Sequence, residues 1–151
     1  MEKEHAFTME QVGDIERELR YISSIVKQKG REILADFPIT PPQFVALQWL
    51  NEDGDMTIGE LSNKMYLACS TTTDLIDRME ANELVERVRD TSDRRVVRIH
   101  LMSKGKSIIE EVLEARRHYL AEVLTHFSEQ DVTDLARTLQ ILHNEMKRDQ
   151  S

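Results

Sequence analysis

Residues 57–106, TIGELSNKMYLACSTTTDLIDRMEANELVERVRDTSDRRVVRIHLMSKGK, decide the fold, because the hydrophobic period changes within them. A short helix is expected over Ile58 to Met65, opened by Thr57 with Glu60 three residues on, the spacing of a capping box. After the break at YLAC, a second helix places Thr72, Leu75, Ile76 and Met79 on one buried face. Two helices joined by so short a turn read as a helix-turn-helix. Beyond Glu83 the period falls from about four to about two: Leu84, Val85 and Val88 come first, then Val97, Ile99 and Leu101 alternate with Val96, Arg98 and His100. This predicts a hairpin whose tip, Asp90 to Arg95, is too polar to be a core turn and projects into solvent or onto a partner. A helix-turn-helix with an appended charged hairpin is a winged helix, so the fold class is mostly α with a small β-wing.

Working towards the N-terminus, Asp55 to Thr57 is read as a short strand completing the sheet of the wing, and Glu52-Asp53-Gly54 as a turn. A helix over about Pro41 to Asn51 offers Phe44, Leu47, Trp49 and Leu50, with Thr40 as its cap and Pro41 at its first turn. The stretch from Phe37 to Pro42 stops a long helix over residues 9–36. In that helix Val12, Ile15, Leu19, Ile22 and Val26 step by three and four, a narrow seam suited to helix pairing. Towards the C-terminus, Ser103-Lys104-Gly105-Lys106 starts a helix to about Phe127. Ser128 with Asp131 three residues on opens the last one. Its Val132, Leu135, Leu139, Leu142 and Met146 repeat the seam. Seams at both ends point to a dimer built from residues 1–36 and 107–151 around a winged region over 37–106; packing of both seams inside one chain is the alternative.

The 151 residues make about one domain, and 40% apolar content is enough for a core. No run of about 18 apolar residues and no leader pattern occurs, so a cytoplasmic protein is expected. A single cysteine excludes an internal disulfide and a cysteine zinc cluster. The net charge of −8 argues against nucleic acid until it is located. Residues 84–106 hold seven Lys/Arg against three acids, a local +4 that leaves −12 to the rest. The wing is the basic pole of an acidic chain, and DNA responds to the local patch.

Three pieces, TIGELSNKM, STTTDLIDRMEANELVER and DTSDRRVVRIHLMSKG, resemble the MarR family of bacterial transcription regulators, which are winged-helix dimers. The family's wing pattern is Asp, any residue, Arg, five strand residues, then Leu and a hydroxyl residue. Asp93, Arg95 and Leu101 stand at those places, with Met102 where the hydroxyl is usual and Ser103 one residue later. The resemblance implies a DNA-binding regulator, a repressor of nearby genes, dimerising through its first, fifth and sixth helices and released by a small-molecule effector. It also implies that Arg95 enters the minor groove, where narrow A·T-rich DNA has an enhanced negative potential.

The residues supply their own reading of the contacts. Ser70, Thr71, Thr73, Asp74, Asp77 and Arg78 are left outward on the second helix of the pair. Hydroxyls near its N-terminus can meet base edges or phosphates. Ser70, Thr71 and Thr73 are therefore placed near bases and Arg78 nearer the backbone; plain helix capping is the alternative for Ser70 and Thr71. Asp74 stands where the family often has a base, and an acid there can accept from a cytosine amino group. Asp93, two residues before Arg95 on one side of an extended segment, can hold its guanidinium in a bidentate pair, while Arg94 points the other way, towards phosphate.

Other chemistry is thinner. Cys69 at the start of the reading helix raises a redox alternative, and His118, Glu122 and His126 on one helix face raise a zinc-sensing one. The two histidines are about 12 Å apart by helix rise, too far for one tetrahedral ion. A small residue in a turn and surface histidines are the readings adopted. Tyr21, Phe37, Phe44, Trp49 and Tyr66 are the aromatics that could line an effector cleft, or simply pack. No phosphate loop, metal motif or nucleophile pairing points to an enzyme, and no cofactor is expected. A winged helix used only for protein contact would show no preference among DNA sequences.

Overall fold

The computed structural model describes residues 5–150. Residues 1–4 and 151, which belong to the two segments expected to dimerise, lie outside them. The element order is α1 (Met9–Leu34), α2 (Pro41–Asp53), α3 (Ile58–Met65), α4 (Cys69–Ala81), β1 (Val85–Arg89), β2 (Val97–Leu101), α5 (Ser103–Leu124) and α6 (Glu129–Asp149). The chain divides into two compact units, Met1–Val112 and Leu113–Ser151.

The core of the first unit is the winged region. Phe44, Ala46, Leu47 and Leu50 of α2, Leu61 of α3, Ile76 and Met79 of α4, and Leu84, Val85 and Ile99 of the hairpin are buried, together with Ile108, Ile109 and Val112 of α5. The buried polar groups are satisfied locally. Ser62 donates to the Ile58 carbonyl at 2.7 Å and Thr72 to the Ala68 carbonyl at 3.2 Å, one turn back. Leu75 is only half-buried, at the edge of the face that Thr72, Ile76 and Met79 occupy.

β1 and β2 pair antiparallel, Val85 opposite Leu101 and Arg89 opposite Val97. The strand expected over Asp55 to Thr57 shrinks to one bridge, in which Met56 and Ile99 exchange backbone hydrogen bonds of 3.3 and 2.6 Å. It cannot extend, because Thr57 immediately becomes the cap of α3 and accepts from the Glu60 amide. The reciprocal half of that capping box is not made. Glu60 turns instead towards the wing, its Oε1 3.7 Å from Arg98 Nη1. Ser128 likewise caps α6 by accepting from the Asp131 amide, with no return bond from the shorter Asp131 side chain.

The full capping boxes lie elsewhere, at Thr8 with Gln11 and at Thr40 with Gln43. Three helix ends differ from expectation by two or three residues: α1 stops at Leu34 rather than 36, α2 continues to Asp53, and α5 stops at Leu124 rather than Phe127. Met102 occupies the cap position of α5 with its carbonyl, which accepts from the Lys106 amide at 2.9 Å. The serine one residue later is already helical.

Both helices of the pair end in a left-handed turn without glycine. Tyr66 (φ 56°) and Glu83 (φ 61°) adopt the conformation. In each case the next amide reaches back to close a Schellman motif: Leu67 to the Ser62 carbonyl at 3.0 Å and Leu84 to the Met79 carbonyl at 2.9 Å. A left-handed non-glycine costs about 1 kcal/mol or more. At Glu83 the burial of both Leu84 and Met79 offsets it.

Gly105 marks the tightest packing. A Cβ there would overlap the Leu84 carbonyl oxygen and come within 2.9 Å of Leu101 Cδ1 and 3.1 Å of Leu47 Cδ2. The absent side chain lets the first turn of α5 press onto the base of the hairpin.

Candidate nucleic-acid interface

The candidate reading surface begins with α4. Its first turn carries Ser70 and Thr71, both exposed, and its N-cap is Ala68, with no side-chain cap. Capping is therefore not the occupation of either hydroxyl. Thr73 is half-buried and donates to the Cys69 carbonyl at 2.8 Å, which leaves its oxygen free to accept. Asp74 and Arg78 are exposed one turn apart and share an open groove with Thr71, Thr40, Pro42, Gln43, Leu67 and Leu75. Cys69 is exposed at the first position of the helix.

What holds α4 against the wing was not anticipated. Arg87 of β1 donates through Nη2 to Asp77 at 2.6 Å and through Nη1 to Glu80 at 2.7 Å. The Arg87 amide donates to the other Glu80 oxygen at 3.0 Å. Its side chain is 29% exposed. Burial works against the guanidinium charge, but the two carboxylates more than offset it and raise the pKa above the ordinary arginine value. Arg87 therefore belongs to the scaffold rather than to the free basic charge. Lys104 adds a second tie by donating to the Asn82 carbonyl at the C-terminal end of α4, at 3.0 Å. No spacing rule finds these pairs, because they link residues 7, 10 and 22 positions apart across chain reversals.

The wing tip is a self-supporting turn. Asp90 accepts through Oδ2 from the Ser92 and Asp93 amides at 3.2 and 3.0 Å, and through Oδ1 from Arg98 at 3.4 Å. The Asp93 amide, then opposing burial, then Arg98 set the balance that lowers the Asp90 pKa. Asp93 accepts from Arg95 Nε and Nη2, each at 3.1 Å, and from the Arg95 amide at 3.0 Å. This is the fork expected from their spacing. The Arg95 side chain is nonetheless 90% exposed, so the clamp aims the guanidinium without covering it. Bonding to that guanidinium, and then to the Arg95 amide, lowers the Asp93 pKa. Arg94 is exposed, and its carbonyl accepts from Arg89 at 3.3 Å. On the opposite side His100 Nδ1 lies 2.9 Å from Asp55 Oδ1, fastening β2 to the segment before α3.

The aromatics weighed as an effector cleft are dispersed. Tyr21 is exposed on α1, Phe37 half-buried, Phe44 in the core and Tyr66 87% exposed at the helix-turn-helix turn. Trp49 carries the Lys64 ammonium 5.0 Å above its ring. None of them lines the groove beside α4 or the shallow depression along Val12, Ile15 and Leu19. Among the described residues no three of His, Cys, Asp and Glu are placed to share a metal ion, and no helix is long and apolar enough to cross a membrane.

A helix-turn-helix with its hydroxyl-rich helix outward, braced by a hairpin that presents an arginine, defines a winged helix-turn-helix protein of the DNA-binding class. Residues 39–97 match the MarR family. The solved structure of a MarR family protein from Bacillus stearothermophilus is 60% identical, covers 94% of this chain and 99% of that one, and superposes with a TM-score of 0.88. The HTH-type transcriptional regulator YsmB of Bacillus subtilis is 61% identical over 140 residues, 93% of this chain and 96% of the relative. The HTH-type transcriptional repressor MdtR of the same organism is 28% identical over 125 residues, 83% of this chain and 81% of the relative. The chain belongs to the MarR family and is a DNA-binding transcription regulator, a family of regulators rather than of enzymes.

Proposed function

We propose that the protein binds a pseudo-palindromic operator as a homodimer, represses the adjacent genes, and lets go when a small-molecule effector changes the spacing of its two reading heads. Ser70, Thr71, Thr73 and Asp74 meet base edges, Arg78 and Arg94 meet phosphates, and Arg95, aimed by Asp93, enters the minor groove. The observation that carries the reading is the pairing of an exposed, uncapped hydroxyl turn on α4 with a clamped yet 90% exposed Arg95. Dimerisation is supported by apolar side chains left in water: Val12, Ile15, Ile22 and Val26 on α1, and Leu135, Leu139 and Met146 on α6. Those residues would make segments 1–36 and 107–151 the dimer arms around the 37–106 reading region. Repression is the activity in MdtR's name. No step of the reading calls on catalysis or a cofactor.

Two-fold symmetry sets the half-sites about one helical turn, roughly 34 Å, apart. Selection of bound duplexes from a random pool, with sedimentation of the purified chain, tests the proposal. Enrichment of an inverted repeat with that spacing by a dimer is the expected result. A monomer, or a pool that stays random, would contradict it.

A further inference from the structure

We propose that Asp74 is the base-selecting residue of the reading helix, its carboxylate accepting a hydrogen bond from the exocyclic amino group of a cytosine in the major groove. The assignment rests on the DNA-reading function proposed above and adds the base. At 100° per residue, Asp74 lies about 170° around α4 from the buried stripe of Thr72, Ile76 and Met79, at the centre of the outward face. It is also the odd acid out. Asp77 and Glu80 are both engaged by Arg87, whereas Asp74 makes no hydrogen bond or ion pair among the described residues.

A free carboxylate facing a polyanion weakens binding to every duplex alike unless a donor meets it. A carboxylate is acceptor-only. In the major groove guanine offers two acceptors, thymine an acceptor and a methyl group, and adenine an amino group beside the N7 acceptor that would repel the charge. Cytosine alone presents an amino donor with no acceptor on its own major-groove edge, and the nearest acceptor belongs to the paired guanine. The general repulsion and the single permitted partner together make Asp74 a filter: it lowers affinity for all sequences and returns it for one base.

The test measures binding of the full chain, and of Asp74→Ala and Asp74→Asn, to the selected operator, to its single-base-pair variants and to random duplex. Unchanged melting temperatures serve as the control for folding. Wild type should prefer C·G at one position per half-site by about tenfold or more. Asp74→Ala should lose that preference while binding random duplex about threefold more tightly at low salt, the size of one like-charge contact some 7 Å away in water. Asp74→Asn should move the preference towards adenine, which an amide meets with a donor and an acceptor. If Asp74→Ala tightens every duplex equally and keeps the wild-type preferences, the carboxylate is merely repulsive and the assignment falls. A wild-type chain that treats all duplexes alike would overturn the DNA-reading function itself, and this assignment with it.

Discussion

α4 and the wing differ in the charge they carry and in how much of it is free. Between Cys69 and Ala81 stand three acids and one arginine, Arg78. Between Leu84 and Lys106 stand seven Lys/Arg and three acids, and one of the seven, Arg87, is engaged by Asp77 and Glu80 of α4, which leaves only Asp74 and Arg78 among the charged residues of that helix outside the clamp. The two are also held differently. α4 is seated by its buried Thr72, Ile76 and Met79 and tied by Arg87, so its position depends on the core. The wing tip is shaped by Asp90 and Asp93 bonding within their own turn, with Arg89 and Arg98 of the adjoining strands, so its form depends on the hairpin itself. On the proposed function, this contrast divides the work. A polar helix with little free charge would discriminate among bases but attract weakly, and an exposed arginine finger would attract strongly but read mainly groove shape.

The most damaging way to break the comparison is to remove the base on which both parts stand. Gly105→Val should cost about 3 kcal/mol or more, because the clash is with the Leu84 carbonyl, a backbone atom, as well as with Leu101 and Leu47. Chemical denaturation measures it; a loss under 1 kcal/mol would mean that α5 can lift off the hairpin cheaply.

A milder change separates the two parts while leaving each intact. Arg87→Ala should lower stability by about 1 to 2 kcal/mol. The value is held down because Asp77 and Glu80 are 57% and 40% exposed. It should also weaken operator binding more than random-duplex binding, since the helix then loses its fixed angle to the wing. Equal weakening of both would reduce Arg87 to a stability contact.

The smallest effect belongs to acid. Asp90 and Asp93 titrate below the ordinary carboxylate value in the folded chain. Their contribution to the turn is therefore present above an unfolded pKa of about 4 and lost as pH falls through the lowered folded values. Between pH 6 and 8 the tip should be unaffected by either group. Carboxyl titration by NMR checks this, and a midpoint for Asp93 above 4 would show the fork with Arg95 to be open in solution.

The same contrast explains what could be read from the sequence. The helices and strands were legible because the period of apolar residues changes from that of a helix to that of a strand after Glu83. The wing fork was legible because both partners sit two residues apart. The Arg87 clamp was not, since it joins a strand to a helix across a reversal and leaves no periodic trace. Asp77 therefore read as an outward, uncommitted acid. Glu60 read as a cap because Thr57 is local, while its partner Arg98 arrives only with the folded hairpin. Tyr66 and Glu83 adopt the left-handed turn where glycine would have announced it, but the ends of α3 and α4 were still legible from the break at YLAC and from the change of period after Glu83. For the five aromatics the sequence left cleft and packing open, because ring chemistry alone does not say which helix face each occupies.

The most direct test of the division of labour is the salt dependence of operator binding by wild type and by Arg95→Ala. If the exposed guanidinium neutralises one phosphate equivalent, the variant binds more weakly and its plot of log K against log salt flattens by about one unit. An unchanged affinity with an unchanged slope would take the wing out of the interface and contradict the account.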